Sequence, residues 1–291
     1  MINYEILVDM SLDIDIEYAK SANIHYIPME YMIGEESHRC TEPESSEMMH
    51  NYYEKLRGKV PTRTSQISPY HYVEAFEPFV KEGRPFLYIS LSSGLSNTYE
   101  SAQMAVQMLS EDYDNVQIEL IDSLGATGGM GLLVESACKN RDAGMNLNEN
   151  ADWLRTHASN INYWFKVEDL MYLMRGGRVS AATAVVGTAL NIKPILTIRA
   201  NGKLDTVAKK RGDRQAMRYI LEQFDRNFDP SLGNSVYICC ADCLKEAEQL
   251  KADVLKKQPD LDVHITMLSP IIGAHTGPDM LALIYYGTDR E

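Results

Sequence analysis

The chain has 291 residues, 45% hydrophobic and 24% charged, which excludes extended disorder and at this length points to two ordinary domains rather than one core. A formal net charge of −13 excludes a general nucleic-acid binder, because phosphate backbones are held by an excess of Lys and Arg. Five unevenly spaced cysteines make no disulfide framework and indicate a reducing cytoplasm, and with no basic start and no bilayer-length apolar run, neither export nor membrane insertion is expected.

In chain order, YEILVDM (4–10) reads as a strand, DIEYAKSAN (15–23) as a helix, IHYIPMEYMIG (24–34) as one strand and ESSEMMHNYYEKLRG (44–58) as a helix. PTRTSQISP (61–69) reads as a loop rich in hydroxyls, and SPYHYVEAFEPFVKEG (68–83) as a helix. PFLYISL (85–91) is a strand, NTYESAQMAVQMLSED (97–112) a helix and VQIELIDS (116–123) a strand, followed by a glycine-rich helix from Gly128. This alternation is that of a parallel sheet covered by helices.

The polar DAGMNLNEN (142–150) precedes a helix expected from about Ala151, and the division is placed so that 1–155 is a Rossmann-like parallel-sheet domain and 156–291 a mixed α/β domain. Beyond it come a strand (161–167), a helix ended by glycine (168–177), a helix (180–191) and a hairpin over 193–211 turning at Asn201-Gly202. A strand (235–241), a helix (243–258) and strands at 262–269 and 280–287 complete it.

Three strands of the first domain end in polar residues: Asp9, Ser92-Ser93 and Asp122-Ser123. Ligands of open α/β sheets bind beyond the carboxyl ends of strands, so these ends are expected to share one crevice. The hydroxyls of SSGLSNT are not a P-loop, which needs a lysine after its second glycine, and Gly125, Gly128, Gly129 and Gly131 lack the dinucleotide spacing. A hydrolase elbow needs glycines two places either side of the serine; Leu91 and Leu95 flank Ser93 instead. Ser96 or Asn97 can cap the following helix, with Asn97 and Glu100 spaced as a capping box.

His275 lies in IGAHTGPDM, read as a glycine- and proline-rich loop, where a lone histidine is more often structural or solvated than a ligand contact. The Cys240–Cys243 spacing at a strand-to-helix junction has no second pair and reads as ordinary buried cysteines. Seven histidines without an H-x-x-x-H pair give no metal site.

TSQIS, LSSGLSNTYESA, IDS with its glycine-rich helix, FKVEDLMYLMRGGRVS, IKPIL, KKRGDRQAM and HTGP, in this order over nearly the whole length, resemble the DegV family of fatty-acid-binding proteins. The resemblance implies a two-domain lipid carrier that binds one long-chain fatty acid between its domains. It also implies service as the binding subunit of a bacterial fatty-acid kinase, presenting the carboxylate to a separate ATP-using partner that forms the acyl phosphate for phospholipid synthesis. Carried over residue by residue, the head-group contacts are Thr64, Ser93, Ser96 and His275, with Arg178 near the mouth and Ser65 and Ser92 as secondary candidates. No cofactor and no catalytic residue is implied. The chain departs from the family pattern at Met10, Ile67, Asn97 and Asp279, where relatives commonly carry serine, proline, glycine and glycine.

The chemistry is consistent with such a ligand. Burial supplies roughly 0.8 kcal/mol per methylene, and a carboxylate taken from water needs convergent donors, which hydroxyls, a histidine and backbone N–H groups provide. Lys209, Lys210, Arg211, Arg214 and Arg218, with Arg175 and Arg178 not far off, form a basic segment that is either a solvated helix face or a docking surface for the kinase or anionic lipid. The competing reading is an acyl-ester hydrolase using Ser93 with His275.

Overall fold

The computed structural model describes residues 4–180, 191–288 and 290; the helix expected over 180–191 therefore falls outside the described residues between its ends. β1 (Glu5–Asp9) leads to α1 (Ile16–Ser21), whose first turn is capped by the Asp15 carboxylate accepting the Tyr18 N–H at 2.8 Å. β2 (Ile24–Ile27) and β3 (Met29–Ile33) replace the single strand expected over 24–34. Pro28 separates them, having no N–H to continue a ladder, and the two enter different sheets.

β3 pairs antiparallel with β4 (Glu36–Cys40). α2 (Ser46–Arg57), capped by Ser45, then returns the chain to β5 (Thr62–Ser65) on the other side of β3. The expected loop at 61–69 is thus partly a strand: an edge strand needs backbone partners on one side only and little apolar surface, so alternation does not betray it. α3 (Pro69–Lys81) starts at a Ser68 cap with proline in its first turn. β6 (Phe86–Ser90), α4 (Thr98–Asp112), β7 (Ile118–Asp122) and α5 (Gly128–Asp142) follow. The main sheet runs β2-β1-β6-β7 and is parallel throughout.

α6 (Leu147–His157) begins ahead of the expected Ala151, because Asn146 accepts the Glu149 N–H at 3.0 Å while Glu149 accepts the Asn146 N–H at 3.1 Å. β8 (Ile161–Lys166), the short α7 (Met171–Arg175), β9 (Ile192–Ile198) and β10 (Leu204–Arg211) come next, the last two joined by the expected hairpin with Gly202 at φ 73°. α8 (Gly212–Asn227) was not expected; its buried Ala216, Ile220 and Phe224 recur at four-residue spacing. The basic segment is accordingly divided, with Lys209, Lys210 and Arg211 on the edge strand β10 and Arg214 and Arg218 on α8.

β11 (Ser235–Cys240), α9 (Leu244–Lys257), β12 (Asp262–Met267), α10 (Pro270–Thr276) and β13 (Leu281–Tyr286) finish the chain. The second large sheet, β10-β9-β8-β13-β11-β12, is mixed, with only β11 and β12 parallel. His275 therefore sits on a helix, not in a loop. All five cysteines are buried free thiols.

The two large sheets share one continuous hydrophobic core, joined by α5. A Cβ on Gly129 would lie 2.0 Å from the Tyr163 hydroxyl, and one on Gly128 2.6 Å from the Tyr237 side chain. The glycine-rich stretch after β7 thus serves close helix-to-sheet approach rather than phosphate. Hydrogen bonds from α2 also tie the first half of the chain to the second: Tyr53 donates to the Leu268 carbonyl at 2.9 Å, and Arg57 donates to Asp242 and Asp279, each at 2.5 Å. Asp279 has φ 61°, a left-handed backbone that favours glycine and that aspartate tolerates better than most residues. No helix among the described residues is long and apolar enough to cross a membrane.

Candidate functional site

The carboxyl ends of β1, β6 and β7 lie side by side, as expected, and a buried carboxylate organises them. Asp9 accepts the Tyr88 hydroxyl at 2.8 Å, the Leu91 N–H at 2.9 Å, the Ser11 N–H at 3.0 Å and the Ser11 hydroxyl. The turn after β6 is thereby pinned at Leu91. Ser92, fully buried, donates to the Gly202 carbonyl at 2.9 Å and accepts the Gly94 N–H at 3.1 Å, tying this turn to the β9–β10 hairpin. A Cβ on Gly94 would come within 2.5 Å of the Gly202 carbonyl, so only glycine admits this approach. The Ser93 N–H donates to Asp122 at 3.2 Å.

Ser96 accepts the Thr98 N–H at 3.3 Å and bonds the Thr98 hydroxyl at 2.7 Å. Asn97 caps α4 by position without a side-chain bond, so the expected Asn97–Glu100 capping box does not form. The helix start is held by the serine.

Next to this turn is a cavity of about 550 Å³ between the two large sheets, β5 and α10. One side is apolar. Tyr163 and Phe165 face it from β8, Ala282 and Ile284 from β13 and Ile198 from β9, with Ala282 paired to Phe165 and Ile284 to Tyr163. Met29, Ile271 and Met280 continue that lining.

The polar lining comprises Thr64, Ser65 and Gln66 around the end of β5, Ser93, Ser96 and Asn97 after β6, Thr127 before α5, Arg178 after α7, Lys203 after the β9–β10 turn, and His275 and Thr276 in α10. The structure thus brings Thr64, Ser65, Ser93, Ser96, Arg178 and His275 to one cavity. Ser92 is not among its walls and acts as an internal tie.

His275 Nε2 and the Thr64 hydroxyl are 2.8 Å apart. Burial, aided by the nearby Arg178 charge, pulls the His275 pKa from 6.5 to about 4, so the ring is neutral at neutral pH. Its Nδ1 is buried without a partner among the described residues and abuts Gly176, where a Cβ would lie 2.3 Å from it. Arg178 donates through Nε to the Leu95 carbonyl at 3.0 Å and through Nη1 to the Gly176 carbonyl, and burial lowers its pKa. No acid lines the cavity among the described residues; its charged walls are Arg178 and Lys203.

The pairing a serine hydrolase requires is not formed, since His275 Nε2 bonds Thr64 and not Ser93. Sequence reasoning missed Gln66, Thr127, Lys203, Thr276 and the whole apolar wall. The wall had a signal, the two-residue period of INYWFKV and MLALIYYG; Lys203 beside the Asn-Gly turn had none.

Comparison with known proteins agrees with this architecture. The model of the family described as uncharacterised protein, DegV family, matches residues 3–288. A DegV domain-containing protein of Clostridium perfringens is 31% identical over 291 residues, 100% of each chain. Another, from Lactococcus lactis, is 32% identical over 280 residues, 96% of each. Among solved structures, DegV of Bacillus subtilis, a fatty acid binding protein, has a TM-score of 0.83 at 26% identity, covering 99% of this chain and 100% of that one. The Fatty Acid Kinase (Fak) B3 protein of Streptococcus pneumoniae, loaded with linoleic acid, shares the fold with a TM-score of 0.83 at 20% identity, covering 98% and 99%. With the family match running through both large sheets and every segment that lines the cavity, this chain belongs to the DegV family.

Proposed function

We propose that the protein is a cytoplasmic fatty-acid carrier that buries one acyl chain in the cavity and holds its carboxylate at the polar end for a separate ATP-dependent kinase subunit to convert to acyl phosphate. The observation that carries this reading is the lining: apolar along the sheet faces and, among the described residues, charged only by Arg178 and Lys203 in a chain of net charge −13. An apolar slot with a cationic end fits an amphiphilic anion. The fatty acid binding stated for Bacillus subtilis DegV and the linoleic acid carried by the Streptococcus pneumoniae protein support the ligand class. The latter's description as a fatty acid kinase protein supports the partner.

In this reading the chain drives affinity, at roughly 0.8 kcal/mol per buried methylene. The hydroxyls of Thr64, Ser93 and Ser96 and the guanidinium of Arg178 replace the carboxylate's water, with neutral His275 acting through Thr64. Nothing at the site reacts with the ligand, and no cofactor takes part. We further propose the division at 1–155 and 156–291, the ligand lying between the two domains, and docking of the kinase on Lys209, Lys210 and Arg211.

Native mass spectrometry of protein purified from cells tests the ligand. A retained long-chain fatty acid is expected; a nucleotide or sterol in its place, or turnover of acyl esters lost in Ser93→Ala, would refute it. Changing Lys209, Lys210 and Arg211 to glutamate lowers kinase-dependent phosphorylation while leaving fatty-acid affinity unchanged; undiminished phosphorylation rejects that docking face.

A further inference from the structure

Side chains alternate along β8. Tyr163 and Phe165 face the main cavity, so Asn162 and Trp164 face away from it, toward α8. Thr197 of β9 pairs with Trp164 and shares that outer face. Here, under the last turns of α8, lies a second cavity of about 300 Å³, on the opposite side of the mixed sheet from the first. Its charged walls among the described residues are Arg199, Arg226 and Arg290, with no acid.

Two polar side chains in its wall are withdrawn from bulk water and unbonded. Gln223 is 7% exposed and Thr197 5%, and neither side chain has a hydrogen-bond partner among the described residues. Buried amides and hydroxyls left unpaired are costly, which marks both as groups set to meet a guest. The charge is also unbalanced. Arg199 is matched by Asp205 at 2.8 Å, whereas Arg226 makes no ion pair among the described residues. Arg290, 8% exposed, donates to the Leu124 and Ala158 carbonyls at 2.9 Å, the Ser159 carbonyl at 3.3 Å and the Ile198 carbonyl at 3.5 Å, with Asp122 acting on it only from a distance. The carboxyl end of α8 opposes an anion with roughly half a negative charge, less than these guanidinium groups supply. Its Phe224 and Asn227 carbonyls, moreover, already accept the Phe228 and Thr288 N–H groups at 3.0 and 2.9 Å.

We propose that this outer cavity is a second binding site, for a small hydroxylated phosphomonoester. A phosphoryl group carries about −1.5 to −2 charges at neutral pH and three acceptor oxygens, enough to engage the Arg226 guanidinium, the Gln223 amide and the Thr197 hydroxyl together. A carboxylate offers less charge and fewer oxygens. The amide nitrogen of Asn162 donates to the Asn160 and Thr288 carbonyls at 3.2 and 2.9 Å, which leaves its side-chain oxygen to accept a hydroxyl from the body of the ligand. The inference is independent of what the main cavity holds.

The test is a calorimetric titration of glycerol 2-phosphate into the whole chain and its Arg226→Gln and Gln223→Leu variants at low salt. Saturable binding of one ligand per chain is expected for the wild type. Arg226→Gln should weaken it roughly five- to tenfold, the exposed guanidinium being partly screened by solvent. Gln223→Leu should weaken it about threefold, as loss of one hydrogen bond does. Hexadecanoate affinity should stay the same in all three, because both residues face away from the main cavity. Inorganic phosphate should bind more weakly than glycerol 2-phosphate; equal affinity would overturn the hydroxylated body. No saturable binding by the wild type, or equal binding by the wild type and Arg226→Gln, would overturn the site itself. Arg226 is on the surface and its replacement leaves the core untouched, so that comparison decides even where Gln223→Leu fails to fold.

Discussion

The apolar side of the cavity is largely a face of the mixed sheet, whereas its polar end is a meeting of five separate segments. Tyr163 and Phe165 on β8 and Ala282 and Ile284 on β13 share one register, and pairing two strands places all four. Thr64, Ser93, Ser96, Arg178 and His275 come from an edge strand, a turn, a helix start, the residues after a short helix, and α10, each with its own hydrogen bonds. In the proposed function the sheet face sets how much of an acyl chain fits, and the converging segments set which head group is held. This separation predicts that the two properties can be altered independently.

The largest effect is expected on the sheet side. Ala282→Phe fills space opposite Phe165; displacing about four methylenes at ~0.8 kcal/mol each costs ~3 kcal/mol, or about a hundredfold in affinity. Calorimetric titration should show this loss for hexadecanoic acid and hexadecanol alike. A loss confined to the acid would break the comparison.

At the polar end the effect is smaller and ligand-dependent. Arg178→Met removes a cation from the cavity wall, in the proposed function a charge-assisted contact of about 1.5–3 kcal/mol, so the acid should weaken roughly ten- to a hundredfold while the alcohol changes little. Equal losses for both would show that Arg178 only supports the fold.

The last pair of effects leaves the ligand aside and concerns stability against pH. His275 has its pKa lowered from 6.5 to about 4, so between these values the unfolded chain takes a proton that the folded one refuses, and stability falls as pH drops through that window. Asp13 behaves oppositely. It is buried, accepts the Ser269 N–H at 2.8 Å, and has its pKa pushed from 3.8 up to about 7 by burial, so the folded chain keeps a proton and gains stability as pH falls from about 7 toward 3.8. Urea unfolding of Asp13→Asn should reveal a loss of ~3 kcal/mol relative to wild type between pH 6.5 and pH 4, and His275→Gln a gain of similar size. Parallel curves for the three proteins would contradict both assignments.

Much of this division was legible in the sequence, unevenly. Apolar runs ending in Asp9, Ser92-Ser93 and Asp122 disclosed a parallel sheet with a crevice at its carboxyl ends, because strand alternation and polar termination are local properties. The hydroxyl strings pointed to the residues that line the polar end. Ser92 misled, since two adjacent serines look alike until the hairpin arrives to engage one of them. Thr64 was assigned to a loop because β5 is held by backbone pairing to β3, which side-chain type does not encode.

His275 resembled a loop residue between glycines, yet α10 forms from Pro270, its first-turn proline, to a stop at Gly277 with φ 75°. Spacing excluded a dinucleotide role for the glycines after β7 but could not say what they serve, because their partners, Tyr163 and Tyr237, lie on another sheet. Long-range approach of this kind leaves no periodicity to read.

The most direct test of the central claim is a crystal structure of the protein with a bound long-chain fatty acid. The account predicts one carboxylate within hydrogen-bonding distance of the Thr64 and Ser93 side chains, with the alkyl chain lying along Phe165, Ala282 and Ile284. A reversed ligand, or one bound outside this cavity, would contradict it.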